Sequence, residues 1–156
     1  MQRILKLLAV LALFAAPAQA LEPREGWVIL HSDKSFKELL AAVNAAVDAA
    51  PIRIVTQASA SAGAGMQGIT IPGNRVLGLY RNDYARRMLD ASVAAGIEAP
   101  IRLYVTEDAD GTATLSYKTP SHVFAPHAQE GGAALRDLAI ELDAVFEGVA
   151  RAAVTE

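Results

Sequence analysis

The stretch IRLYVTEDADGTATLSYK, residues 101–118, decides the fold of this chain. Apolar side chains occupy every second position on both sides of Asp110-Gly111, which is the pattern of strands with one buried face. An Asp-Gly pair between two such runs favours a tight turn, because glycine adopts the backbone conformations that the turn needs. The stretch therefore predicts an antiparallel hairpin with strands at 101–106 and 112–117.

Three more strands are predicted on the amino-terminal side of the hairpin. Short apolar runs rich in β-branched residues favour strands at Trp27–His31, Ile52–Gln57 and Asn74–Tyr80. Residues 58–68 contain too many small side chains for a strand, so a loop or a short helix is expected there.

Two helices are predicted between these strands. Ser35 and Glu38 have the spacing of a capping box, and apolar residues recur at helical intervals after them. Asn82 or Asp83 is expected to cap a second helix that ends at Gly96, since both side chains accept hydrogen bonds from free backbone amides.

A third helix is predicted at the carboxyl end, after Gly131-Gly132. The resulting order is βαββαββα, for which helices packed on one face of a mainly antiparallel sheet are the simplest assembly, so the fold class is α+β. The apolar face of the last helix consists of Leu135, Leu138, Leu142, Val145, Phe146 and Val149.

The first 20 residues have the three parts of a secretory signal peptide. Arg3 and Lys6 precede an apolar run, and Ala18 and Ala20 form the small-x-small pattern read by signal peptidase. The run is about half the length that a bilayer span requires. We expect 1–20 to be a signal peptide, 21–156 to be one domain in the periplasm or secreted, and no membrane association after cleavage.

Charge and cysteine content exclude several classes of function. Of 14 basic residues, Arg3 and Lys6 lie in the leader, so the mature chain has 12 basic and 17 acidic residues and a net charge of −5. A net negative charge repels polyanions, so no nucleic-acid partner is expected. The chain has no cysteine, which rules out thiol catalysis and thiolate metal sites, and no cofactor is expected.

Two motifs match the sequence spacing of known sites but lack a feature that those sites require. Gly63 to Gly68 has the spacing of a dinucleotide fingerprint, but a β-branched run ending in Pro72 follows where a helix would be needed. Asp108 begins like a calcium loop, but its twelfth position is Thr119 instead of the required glutamate. We interpret the first as a small-residue loop or short helix and the second as a hairpin turn.

Histidine is the one residue type left that favours a metal site. His122 and His127 lie five residues apart in a proline-bearing segment, and His31 closes the first strand. Neutral imidazole binds copper or zinc when three ligands converge on one ion. Nothing in the spacing brings His31 to the other two, and solvent-exposed loop histidines are the simpler interpretation.

Positive charge is concentrated at the start of the second predicted helix. Arg81, Arg86 and Arg87 follow Tyr80 there, and free backbone amides at a helix start also attract anions. An anionic ligand is one interpretation. Ordinary ion pairs with nearby aspartates are the preferred one.

Four segments resemble the domain-of-unknown-function 302 family. They are Gly73–Tyr80, Ala99–Val105, Glu107–Gly111 and Ser116–Pro120, with the acid-Asp-x-Asp-Gly turn as their clearest feature. The resemblance implies an α+β domain similar to the TATA-binding-protein-like arrangement, often dimeric, with no settled activity. The sequence departs from the family pattern at Arg81-Asn82-Asp83, where Gly-Asn-Pro is frequent, and at Ala99, where leucine is usual.

Three hypotheses of function follow. The leading one is a non-enzymatic, homodimeric domain that binds a small ligand or a partner protein through its sheet face or the loop 118–132. The second is a metal-binding protein using His122, His127 and His31, and the third is an enzyme of unknown reaction using Tyr80, Arg81, Asp83 or Tyr117. The candidate ligand-binding residues are Tyr80, Arg81, Asn82, Tyr117 and Pro120.

Overall fold

The computed structural model describes residues 21–155. Five strands form one sheet in the order β1-β5-β4-β3-β2, and every neighbouring pair is antiparallel. The predicted signal peptide, with Ala18 and Ala20, lies outside the described residues. The strands are β1 (Trp27–Ser35), β2 (Arg53–Ala58), β3 (Asn74–Tyr80), β4 (Ile101–Glu107) and β5 (Thr112–Lys118).

Helices connect the strands and complete the α+β fold that the sequence predicts. Two 3₁₀ turns, Ala94–Glu98 and Ala125–His127, interrupt the longer connections. The helices are α1 (Phe36–Ala49), α2 (Ala60–Gly65), α3 (Asn82–Ala91), α4 (Pro120–Phe124) and α5 (Ala128–Thr155).

The predicted hairpin is confirmed as strands β4 and β5 at the centre of the sheet. Leu103 lies opposite Tyr117 and Val105 opposite Leu115, as the alternation requires. The turn closes where Gly111 adopts a φ of +87°, which is costly for any residue with a Cβ. Register and turn together fix which side chains of the two strands face the core.

The helices cover one face of the sheet and build the hydrophobic core there. The predicted capping box is present at α1, since the Ser35 side chain accepts from the Glu38 amide and the Glu38 side chain accepts from Ser35. The sheet contributes Leu77, Leu103 and Leu115 to this core, all fully buried. The helical side chains that meet them include Leu39, Val43, Val47, Leu135, Leu138, Phe146 and Val149.

Helix α3 differs from its prediction at both ends. Arg81 occupies the capping position without a side-chain hydrogen bond to the helix amides, so the expected cap by Asn82 or Asp83 is wrong. The helix stops at Ala91, five residues before Gly96, because Ser92 is extended and its hydroxyl accepts a hydrogen bond from a later backbone amide. A 3₁₀ turn fills the remaining length.

The last helix also begins differently. Helical backbone starts at Ala128, and Gly132 interrupts it with a φ of +57° and a ψ of −147° before the predicted apolar face continues. No helix within residues 21–155 is long and apolar enough to cross a bilayer.

Candidate functional site

The sheet has a second face that contributes nothing to the core. In register, Ile29 lies opposite Ser116, which lies opposite Tyr104, which lies opposite Val76. Within residues 21–155, the core and the side chains packed against it include none of these four. We call this surface the open face and define it by Trp27, Ile29, Val76, Arg102, Tyr104, Ser116 and Lys118.

A cleft crosses the open face at the end where β5 leaves the sheet. Its walls are the rings of Trp27 and Tyr104 with Val76, and its floor is Ser116. Trp27 lies directly opposite Lys118 in the register, so the single indole of the chain stands at the cleft rim. The cleft therefore combines aromatic walls with a polar floor, which is the usual make-up of a small-molecule site.

Two cations stand at the cleft without acidic partners. Arg102 and Lys118 are both exposed and line it, and neither forms an ion pair with any carboxylate of the described chain. The Lys118 ammonium lies 5.6 Å from the centre of the Trp27 ring, a cation–π contact that keeps it at the rim. Glu98 also lines the cleft, but its carboxylate lies 3.3 Å from Nε2 of His127.

Ser116 provides a buried hydroxyl with no hydrogen-bond partner. Its residue is 0% exposed, and Oγ has no partner among the described residues. The neighbouring Thr114, also 0% exposed, is fully engaged: its hydroxyl donates to Asp108 at 2.6 Å and contacts Nδ1 of His31 at 2.9 Å. A buried polar group left unpaired costs free energy, so Ser116 is a hydroxyl in need of a partner at the cleft floor.

The candidate ligand-binding residues predicted from the sequence lie in several different places. Tyr80 and Arg81 line a small apolar crevice between α3 and the core. Asn82 opens α3 and is exposed, whereas Pro120 is buried at the first position of α4. Tyr117 points to the helical side of the sheet.

Tyr117 is a core residue. Its ring centre lies 5.6 Å from that of Phe146. Burial, together with Glu147 and Asp143, raises the pKa of the Tyr117 phenol to about 12. The phenol is therefore neutral at physiological pH and is held by packing.

Two of the three arginines at the start of α3 form ordinary surface ion pairs. Arg81 contacts Asp83 at 2.5 Å and Arg87 contacts Glu141 at 2.7 Å. The hydrogen bond from Arg87 lowers the pKa of Glu141. These partners favour the ion-pair interpretation of this charge cluster over the anion-site interpretation.

The three histidines have separate sets of contacts. His31 contacts Thr114, His127 lies between Glu98 and Glu130, and the ring of His122 packs against Gly26. Within residues 21–155, no group of three or more histidine or acidic side chains is placed to hold a metal ion. The geometry gives the metal hypothesis no convergent ligand set.

Both rejected motifs have the structures expected of them. The fingerprint glycines belong to the six-residue helix α2 and the loop after it. In the hairpin turn, Asp110 accepts hydrogen bonds from the amide and hydroxyl of Thr112 at 3.0 and 2.6 Å. Those bonds lower the pKa of Asp110 and stabilise the turn.

Sequence reasoning named the sheet face as a binding surface but not Trp27, Tyr104 and Ser116, which line the cleft, although their signal was present. The alternation that placed Leu103 and Leu115 inward also placed Tyr104 and Ser116 outward on the same two strands. The alternation could not predict that β1 pairs with β5, which places Trp27 opposite Lys118.

Comparisons with known proteins identify a family and a similar fold. The family model described as "Domain of unknown function DUF302" matches residues 28–152. The crystal structure of an uncharacterized conserved DUF302 protein from Bacillus stearothermophilus superposes with a TM-score of 0.72 at 14% identity, covering 83% of this chain and 99% of that one. A search of curated proteins found no match.

Proposed function

The chain belongs to the DUF302 family, and on that basis we propose that it is an exported, non-enzymatic binding domain whose open face is the binding surface. The observation that carries the proposal is the buried, unpartnered hydroxyl of Ser116 beneath the aromatic walls of Trp27 and Tyr104. The fold uses one side of the sheet for its core and leaves these rings on the other. Large apolar side chains grouped around a polar floor favour binding over an ordinary solvated surface.

Binding is favoured over catalysis by what the cleft contains. It offers two cations, the Ser116 hydroxyl and aromatic walls, while the one carboxylate that lines it is paired with His127. A nucleophile with an adjacent base is what an acyl-transfer or hydrolytic site requires. Among the residues that line the cleft, Ser116 has no histidine or carboxylate within hydrogen-bond reach.

A thermal-shift screen of a fragment collection tests the proposal. A ligand that binds only the folded state raises the unfolding temperature by mass action. We expect fragments that stabilise the protein to lose their effect in Tyr104→Ala and to keep it in Tyr80→Ala, which truncates the same side chain at the α3 crevice. Hits that depend on Tyr80 and ignore Tyr104, or no hits at all, would contradict the proposal.

The proposal includes a homodimer, which the family resemblance implies. Native mass spectrometry of residues 21–156 should give twice the chain mass together with any retained ligand. A monomer at all concentrations tested would contradict the dimer and would leave the binding surface to be judged by the fragment screen.

A further inference from the structure

We propose that the cleft on the open face selects an organic anion: a small molecule with a flat apolar or aromatic body and one acid group. The inference rests on the proposed function, because it takes the open face as the binding surface and names the chemistry of what binds there. It is carried by the charge, the burial and the hydrogen-bonding state of the residues that line the cleft.

The two cations without ion-pair partners predict an acid group in the ligand. Arg102 and Lys118 stand on adjacent strands at the same end of the open face, and the described chain supplies no carboxylate to either. The other arginine side chains near the sheet edge are engaged: Arg53 donates to backbone carbonyls and Arg81 pairs with Asp83. A guanidinium and an ammonium free at one cleft complement one anionic group, which takes charge-assisted hydrogen bonds from both.

The remaining oxygens of that group would have a further donor in Ser116. Its buried hydroxyl has no partner within the described residues, so an acceptor arriving in the cleft satisfies it without displacing an existing bond. Thr114, two residues earlier on the same strand, already has its partners and needs none. The contrast points to Ser116 as part of a site.

The aromatic walls of the cleft predict a flat apolar body in the ligand. The Trp27 and Tyr104 rings line the cleft together with Val76 and with Val123 of α4. Aromatic rings bind flat apolar groups with large area at little entropic cost. The cleft therefore combines aromatic walls, a hydroxyl and two cations, which match the apolar body and the acid group of an amphipathic anion.

Two matched dyes separate the inference from the proposed function. Anilinonaphthalene sulfonate carries the expected acid group, and phenylnaphthylamine has the same rings without it. Energy transfer from Trp27, the only tryptophan, reports dye bound to the protein, and the part of it that Tyr104→Ala removes reports dye bound at this cleft. We expect the sulfonate to bind at least about tenfold more tightly than the neutral dye, because each charge-assisted hydrogen bond contributes more than a neutral one.

Variants test which side chains cause the preference for the sulfonate dye over the neutral dye. Arg102→Ala with Lys118→Ala should abolish the preference, and Ser116→Ala should weaken sulfonate binding with no loss of stability. Lys37→Ala with Arg86→Ala removes the same charge from exposed positions on α1 and α3 and should leave the preference intact. Circular dichroism confirms that each variant is folded.

The outcomes are distinct. Equal binding of both dyes that is lost in Tyr104→Ala would overturn the organic-anion inference and leave the proposed binding surface standing. Energy transfer that is absent, or insensitive to Tyr104, would overturn both. A dimer that the sulfonate dye dissociates would assign the open face to a second copy of the chain and would also overturn the inference.

Discussion

Gly78 lies where its neighbours leave no room for a larger side chain. A Cβ placed there would lie 2.2 Å from Oγ1 of Thr56 and 2.7 Å from Cγ of Pro100. We predict that Gly78→Ala lowers the free energy of unfolding by about 1–3 kcal/mol, measured by urea titration, because the extra methyl overpacks the site.

The matched control is Gly63→Ala in α2, where a Cβ would meet no atom within 4 Å. Alanine also has the higher helix propensity, so this variant should be at least as stable as the parent. Equal unfolding midpoints for the two variants would contradict the close contact at Gly78.

Tyr117 gives a prediction about alkaline pH. Its pKa of about 12 in the folded protein exceeds the ordinary value of 10.0, chiefly because the ring is buried. The unfolded chain therefore loses this proton first, so the stabilising contribution is complete below pH 10 and is lost as the pH rises toward about 12. Ultraviolet titration should show a late-ionising phenol that Tyr117→Phe removes. A phenol signal at pH 12 unchanged by that substitution would contradict the assignment.

The start of α1 is an element whose sequence signal and structure agree fully. Ser35→Ala removes the hydroxyl that accepts from the Glu38 amide and donates to its carboxylate at 2.7 Å. We predict a loss of about 1 kcal/mol in unfolding free energy, and none in Ser35→Thr, which keeps the hydroxyl. The measurement is chemical denaturation of the two variants beside the parent.

The same substitution should change the titration of Glu38. Hydrogen bonds from Ser35 are the main cause of its lowered pKa, so Ser35→Ala should let that pKa rise toward the ordinary value. The lowered pKa stabilises the fold above the ordinary carboxyl range and loses its effect as pH falls through the folded value. A Glu38 pKa that Ser35→Ala leaves unchanged would contradict the capping box as its cause.

Elements were predictable from sequence where one strong local pattern decides them. The hairpin and β3 follow from alternation, and the α1 start follows from a capping box. The carboxyl end of α3 was not predictable, because Ser92, where the helix stops, donates a hydrogen bond to the distant Glu130 that is formed only in the folded chain. Local sequence propensity cannot predict such tertiary hydrogen bonds.

The candidate site shows the same division. Alternation alone places Tyr104 and Ser116 together on one face of the hairpin. Which face the helices cover, and which cations stay unpaired there, depends on packing between distant segments such as β1 and β5. Asp83, the partner of Arg81, is a nearby aspartate of the kind that the sequence predicts, whereas Glu141, the partner of Arg87, is distant in sequence and meets it only in three dimensions.

At the scale of the whole molecule, the sheet has one face packed in the core and one face outside it. Helices α1 and α5 bury one face and supply the core, and the chain has no cysteine with which to add a disulfide. Stability therefore depends on packing on one side of the sheet, which leaves the other side free to carry a binding surface. Substitutions on the open face should change binding more than folding.

Export is a prediction about the whole chain. Protein recovered from its native host should begin at Leu21 and be found in the periplasmic or secreted fraction, because Ala18 and Ala20 form a signal-peptidase site. Amino-terminal sequencing of each fraction measures this. Protein that retains Met1 and stays in the cytosol would contradict it.

The most direct measurement of the central claim is a two-dimensional N–H spectrum of the protein titrated with anilinonaphthalene sulfonate. The single indole N–H of Trp27 gives one signal that reports on the open face without any substitution. We predict that this signal and the amides of Tyr104, Ser116 and Lys118 shift together. Shifts confined to Tyr80, Arg81 and Asn82, with the Trp27 signal unmoved, would show that the open face is not the binding surface.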